Sequence, residues 1–136
     1  MQKQVFINFP VKDLAKSKAF FEHLGYTFNP QFTDDTAACM VISDTIYSML
    51  VTEPKFKTFT YKDLADGHKT KEAIVCLSCE SREEVDQTIN RALEAGGKAW
   101  PEQPLDYGFM YYHGFEDLDG HHWEIMYMNP DHVQPQ

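Results

Sequence analysis

The stretch FEDLDGHHWEIMYMNP, residues 115–130, decides how this chain folds. Asp119-Gly120 is a hairpin signal, because aspartate and glycine tolerate the backbone angles of a tight turn. It joins two aromatic-rich runs, GFMYYHGFED (108–117) and HHWEIMYMN (121–129), which read as antiparallel strands. The second run carries one carboxylate, Glu124, in an otherwise apolar strand. Strand alternation puts His122 on the same face as Glu124.

Working back from the hairpin, SREEVDQTINRALEAGGK (81–98) reads as a helix. Ser81 is its N-cap, with Glu84 three residues on as the partner of a capping box. Val85, Ile89, Ala92 and Leu93 form its apolar stripe, and Gly96-Gly97 ends it. A strand, EAIVCLSC (72–79), precedes it, and a short proline-bearing strand, KAWPEQP (98–104), follows. The order is β-α-β-β-β.

The first half has the same order. VFINFPV (5–11) reads as a strand with Pro10 at its end or on an edge. DLAKSKAFFEHLGY (13–26) reads as a helix with Leu14, Ser17, Phe20, Phe21 and Leu24 inward and Gly25 as its stop. TFNPQF, AACMVIS and IYSMLVT read as three strands. The chain is thus one unit written twice. Setting IYSMLVTEP against HWEIMYMNP, with Pro54 opposite Pro130, places Ser48 opposite Glu124. Module one covers about 4–54 and module two about 72–130, in a single domain. The connector between them, 55–71, is expected to be a solvated loop with a short helical piece near KDLA (62–65).

Composition narrows the functional classes. The chain has 136 residues, 43% of them hydrophobic and 14% aromatic, enough for one packed domain. A formal charge of −9 gives it no electrostatic reason to bind nucleic acid or an anionic membrane. No apolar run reaches the length of a membrane helix, and the N-terminus has no signal-peptide pattern. Three cysteines make no disulfide framework, so a reducing, cytoplasmic setting is expected. The two in CLSC, Cys76 and Cys79, read as small core residues that point to opposite faces of a strand.

The motifs VKDLAKSKAFFEHLGY (11–26) and FEDLDGHHWEIMYM (115–128) resemble two signatures of the vicinal oxygen chelate superfamily. These are V-x-D-L-x-x-S-x-x-F-Y-x-x-x-L-G and F-x-D-P-D-G-x-x-x-E, with Leu118 here in place of the usual proline. That superfamily includes glyoxalase I, bleomycin- and fosfomycin-resistance proteins and extradiol dioxygenases. The middle of the chain is similar to a branch labelled predicted lactoylglutathione lyase. The resemblance spans about residues 4–130. It implies an α+β fold in which two tandem β-α-β-β-β modules form a cup-shaped mixed sheet with the helices outside. It also implies a homodimer.

Metal-binding members of that superfamily hold the ion inside the cup. The resemblance puts their ligands at Phe6, at Ile74 or Ala73, at Ser48 and at Glu124. Only Glu124 among these is a good donor for a divalent ion, which needs three or four converging nitrogen or oxygen atoms. A site rebuilt from Glu124, His122 and His113 is conceivable but disfavoured, because polar residues are common beside a hairpin turn. No cofactor is therefore expected.

The best-supported role is binding a small organic molecule in the cup. The expected ligand contacts are Asn8, Ser48, Tyr112 and Met126. Any catalysis would fall to Glu124 as general acid or base, its pKa raised by burial, with His122 orienting it. The alternative is a metal-dependent lyase or dioxygenase with non-standard ligands around Glu124.

Overall fold

The computed structural model describes residues 1–131. The chain divides into two compact units, Met1–Asp66 and a second beginning at Gly67; the first has the expected β-α-β-β-β order, and the second adds one short strand to it, Leu105–Asp106. The fold class is therefore α+β, with two mixed sheets.

In the first unit, β1 (Val5–Val11) runs parallel to β4 (Ile46–Thr52). β3 (Ala37–Val41) and β2 (Thr27–Asn29) complete the sheet in the order β1-β4-β3-β2. Pro10 lies on the edge strand β1, where a missing N–H disrupts no ladder. Helix α1 (Leu14–His23) is capped by Asp13, whose carboxylate accepts the Lys16 N–H at 3.0 Å. It ends at Gly25, whose φ of 106° suits glycine alone without strain. Ser17, Phe20 and Phe21 are its buried side chains, and α1 packs on β3 and β4.

In the second unit, β5 (Ile74–Ser78) runs parallel to β9 (His122–Met128), which pairs with β8 (Met110–Glu116). β6 (Lys98–Ala99) and β7 (Leu105–Asp106) both add to β8. Helix α3 (Arg82–Glu94) packs on β8 and β9. Half of the capping box is present: Ser81 accepts from Glu84 N at 3.1 Å, while the Glu84 carboxylate accepts from the N–H of Glu80, one residue before the cap, at 3.3 Å. The hairpin turn is organised from within by Asp117. One carboxylate oxygen accepts the Asp119 and His121 N–H groups, each at 3.0 Å, and the other accepts Trp123 Nε1 at 3.1 Å. Asp117 is buried, and burial pushes its carboxyl pKa up.

Several local expectations are corrected. The short helix of the connector, α2, spans Glu53–Phe56 and not 62–65. Pro54 stands in its first turn, where proline is preorganised and loses no hydrogen bond. In TFNPQF the strand stops at Asn29, and Pro30–Phe32 forms a single 3-10 turn. Leu93 is 46% exposed, so the buried stripe of α3 is Val85, Ile89 and Ala92. Among the described residues no helix is long and apolar enough to cross a membrane.

Candidate functional site

Each sheet has a covered face and an open one. In the second unit, Trp123, Ile125, Phe115 and His113 are buried on the side where α3 packs. Their alternates face the other way. Glu124 has Cys76 as its ladder partner on one side and Gly114 on the other; Met126 has Ser78 and Tyr112. Glu124, Met126 and Tyr112 are half-buried, while Cys76 and Ile74 are exposed. This open face brings Glu124, His122, Tyr112 and Met126 together on one sheet surface.

The Glu124 carboxylate makes no hydrogen bond or ion pair with any described residue. Its neighbours are weakly polar. The Cys76 thiol pKa is pushed up, first by burial and then by the Glu124 charge. The Tyr112 phenol is pushed up by burial and by its neighbours Tyr107, Glu124 and Cys76. Both groups thus keep their protons around a lone carboxylate. Cys76 was expected to be a core residue and is instead a solvent-facing member of this group.

His122 does not orient Glu124. Its Nε2 donates to the Trp100 carbonyl at 3.2 Å, and its ring lies over Gly114. A Cβ at residue 114 would run into the Trp100 carbonyl oxygen and come within 2.7 Å of that nitrogen, and the backbone clash explains the glycine. His113 cannot join a cluster with Glu124. It pairs with Ile125 on the covered face, and its Nε2 donates to the Pro101 carbonyl at 2.7 Å. An odd-numbered residue on β8 points away from the face that Gly114 and Glu124 share.

In the first unit, the open face carries Phe6, Asn8, Tyr47 and Met49. Phe6 and Tyr47 stack with ring centroids 4.8 Å apart. Asn8 is exposed, and its amide donates to its neighbour's carbonyl, Phe6 O, at 3.2 Å. Ser48 is wholly buried on the opposite face, its hydroxyl donating to Ile7 O at 3.0 Å. Ser48 is thus not available to a ligand on the open face.

The ladders also correct the repeat alignment. Phe6 and Ile74 stand equally far ahead of the N-caps Asp13 and Ser81. Phe6 pairs with Tyr47, and Ile74 pairs with His122. Tyr47 therefore matches His122, and Met49, not Ser48, matches Glu124.

One residue of the site escaped the sequence reading. Tyr107, in the turn between β7 and β8, stacks on Tyr112 with centroids 6.2 Å apart and planes 20° from parallel. A lone tyrosine in a three-residue connection has no periodicity to reveal its direction.

The sequence is 31% identical to a hypothetical protein from S. aureus of solved structure, covering 93% of this chain and 95% of that one with a TM-score of 0.78. Residues 3–43 match the family model described as bleomycin resistance protein-like N-terminal. The chain belongs to the glyoxalase/bleomycin-resistance superfamily. Its fold is shared with a glyoxalase/bleomycin resistance protein/dioxygenase family enzyme from Burkholderia phytofirmans, at 11% identity, 93% and 99% coverage and a TM-score of 0.78. It is shared too with a fosfomycin resistance protein from Listeria monocytogenes, at 20% identity, 100% and 96% coverage and a TM-score of 0.68. No curated protein matches the sequence.

The superfamily's metal does not fit the donors present. The positions that would answer Glu124 are Phe6, Ile74 and Met49, two hydrocarbon side chains and a thioether. None suits the hard divalent ions that carboxylates hold. Among the described residues no three or more of His, Cys, Asp and Glu gather as a candidate metal cluster.

Proposed function

We propose that this superfamily member binds a small organic molecule against the open face of its second sheet, with Glu124 as the polar anchor and no resident metal. The observation that carries this reading is the Glu124 carboxylate, half-buried among Tyr112, Met126 and Cys76 with no hydrogen-bond or ion-pair partner among the described residues. A polar group surrounded by aromatic and thioether walls is the usual composition of a small-molecule site. Folding gains nothing from an unpartnered carboxylate in such a setting, so a ligand is the natural partner. Where a ligand is chemically altered, Glu124 is the carboxylate on that face positioned to act as acid or base. His122 is committed to Trp100 and acts by packing.

The test is a thermal-shift screen of chelator-treated protein against aromatic and glycopeptide-like compounds, repeated with Glu124→Gln. A compound that raises the wild-type melting temperature and loses that effect in the variant is expected. Stabilisers that act equally on both proteins contradict Glu124 as the anchor. No stabiliser at all contradicts the binding reading.

A further inference from the structure

We infer that Glu124 and the Tyr107–Tyr112 pair form a subsite for a planar organic cation. The inference rests on the binding reading above and narrows it to a ligand class. Tyr107 and Tyr112 lie nearly parallel, and Tyr112 stands on the face of Glu124, one ladder step away. A flat ring laid against this pair gains stacking area, and a positive charge on it also gains from the ring faces.

The aromatic wall is held in place from behind. Arg82, at the start of α3, grips the turn that carries Tyr107. Its Nη1 donates to Asp106 Oδ2 at 2.8 Å, and its Nη2 donates to Asp106 Oδ1 at 3.1 Å and to Gly108 O at 2.9 Å. Asp106 Oδ1 also accepts the Gly108 N–H at 2.8 Å, and Gly108 has the positive φ of 83° that the turn needs. The guanidinium rests 4.9 Å from the centroid of Tyr111, whose hydroxyl donates to Asp86 at 2.6 Å. A bidentate pair fixes direction as well as distance, so Tyr107 does not have to be ordered by the ligand.

Charge selects the ligand. The two cations of this unit with assigned partners are spent elsewhere: Arg82 on Asp106 and Lys71 on Glu116 and on the Gly67 and Gly120 carbonyls. Glu124 keeps its charge unanswered. A neutral ligand can offer that carboxylate at most a hydrogen bond in place of its water, a cation adds the charge that balances it, and an anion would be repelled. The net charge of −9 adds a long-range pull on cations.

The experiment titrates the full-length protein with three planar fluorophores of similar size: proflavine, a cation; acridone, neutral; and anthracene-2-sulfonate, an anion. Wild type is compared with Glu124→Gln, with Tyr107→Ala, and with Glu22→Gln on the exposed surface of α1 as a control. Near-ultraviolet circular dichroism verifies that each variant is folded. The expected order of affinity is proflavine, acridone, anthracene-2-sulfonate. Glu124→Gln should weaken proflavine about tenfold and narrow its lead over acridone, while Glu22→Gln stays within about twofold of wild type. Tyr107→Ala should weaken both proflavine and acridone, and proflavine the more. Acridone or the sulfonate binding as well as proflavine, or proflavine indifferent to Glu124→Gln, overturns the cation class and leaves small-molecule binding standing. Failure of all three probes to bind overturns both.

Discussion

On the open face of the first sheet, Phe6 stacks on Tyr47 and Met49 stands where a carboxylate could be. On the same face of the second sheet, Glu124 lies between Cys76 and Gly114, with Tyr112 and Met126 one step on. The covered faces differ far less. Leu50, Met40 and Ala38 are sealed in the first unit, as Trp123, Phe115 and Ile125 are in the second. The contrast has a physical origin. A covered face must exclude water and fill space, which restricts it to apolar side chains of matched volume. An open face answers to whatever touches it.

The largest effect should come from breaking the covered face of the second unit. Trp123→Ala removes a fully buried indole and leaves the buried Asp117 carboxylate without its Nε1 partner. Urea unfolding should show a loss of about 3–5 kcal/mol. A loss under about 1 kcal/mol would mean that this core is not packed as described. Next come the helix caps, which compare the two units directly. Asp13→Ala and Ser81→Ala each remove one side-chain bond to an N–H of the first turn. Each should cost about 1 kcal/mol by the same measurement.

A smaller effect concerns pH. The bond to Asp86 pushes the Tyr111 phenol up to about 12. Its folded pKa is raised, so the stability it contributes is complete below about pH 10, where an unfolded tyrosine ionises. That contribution is lost as pH rises through about 12. Ultraviolet difference titration should find one tyrosine ionising about two units late, and Asp86→Ala should bring it back. The smallest effect sharpens the contrast most. Glu124 makes no hydrogen bond or ion pair among the described residues, so Glu124→Gln should change stability by less than about 0.5 kcal/mol. A loss of more than about 2 kcal/mol would make it a structural residue.

Much of this was legible in the sequence, for reasons that can be named. Capping residues, glycine stops and the Asp119-Gly120 turn act locally, so Asp13, Ser81, Gly25 and the β8–β9 hairpin fall where the residues say. Face and register are not local. The halves were aligned through Pro54 and Pro130, but Pro54 belongs to α2, outside the strand ladder. A slip of one residue turns every side chain to the other face. That is how Ser48 came to stand for Met49. His113 failed for the related reason that cross-strand register is set by pairing. Cys76 was assigned to the core on residue type, yet the edge strand β5 leaves it exposed. The clamp of Arg82 on Asp106 spans residues far apart in sequence and carries no periodic signal.

The most direct test of the contrast is metal analysis of protein purified without a chelator, before and after incubation with excess zinc, nickel, manganese or iron, for wild type and Glu124→Gln. With Phe6, Ile74 and Met49 at the answering positions, both proteins should hold far less than one ion per chain. About one equivalent of a divalent ion in wild type, lost in Glu124→Gln, would contradict the account.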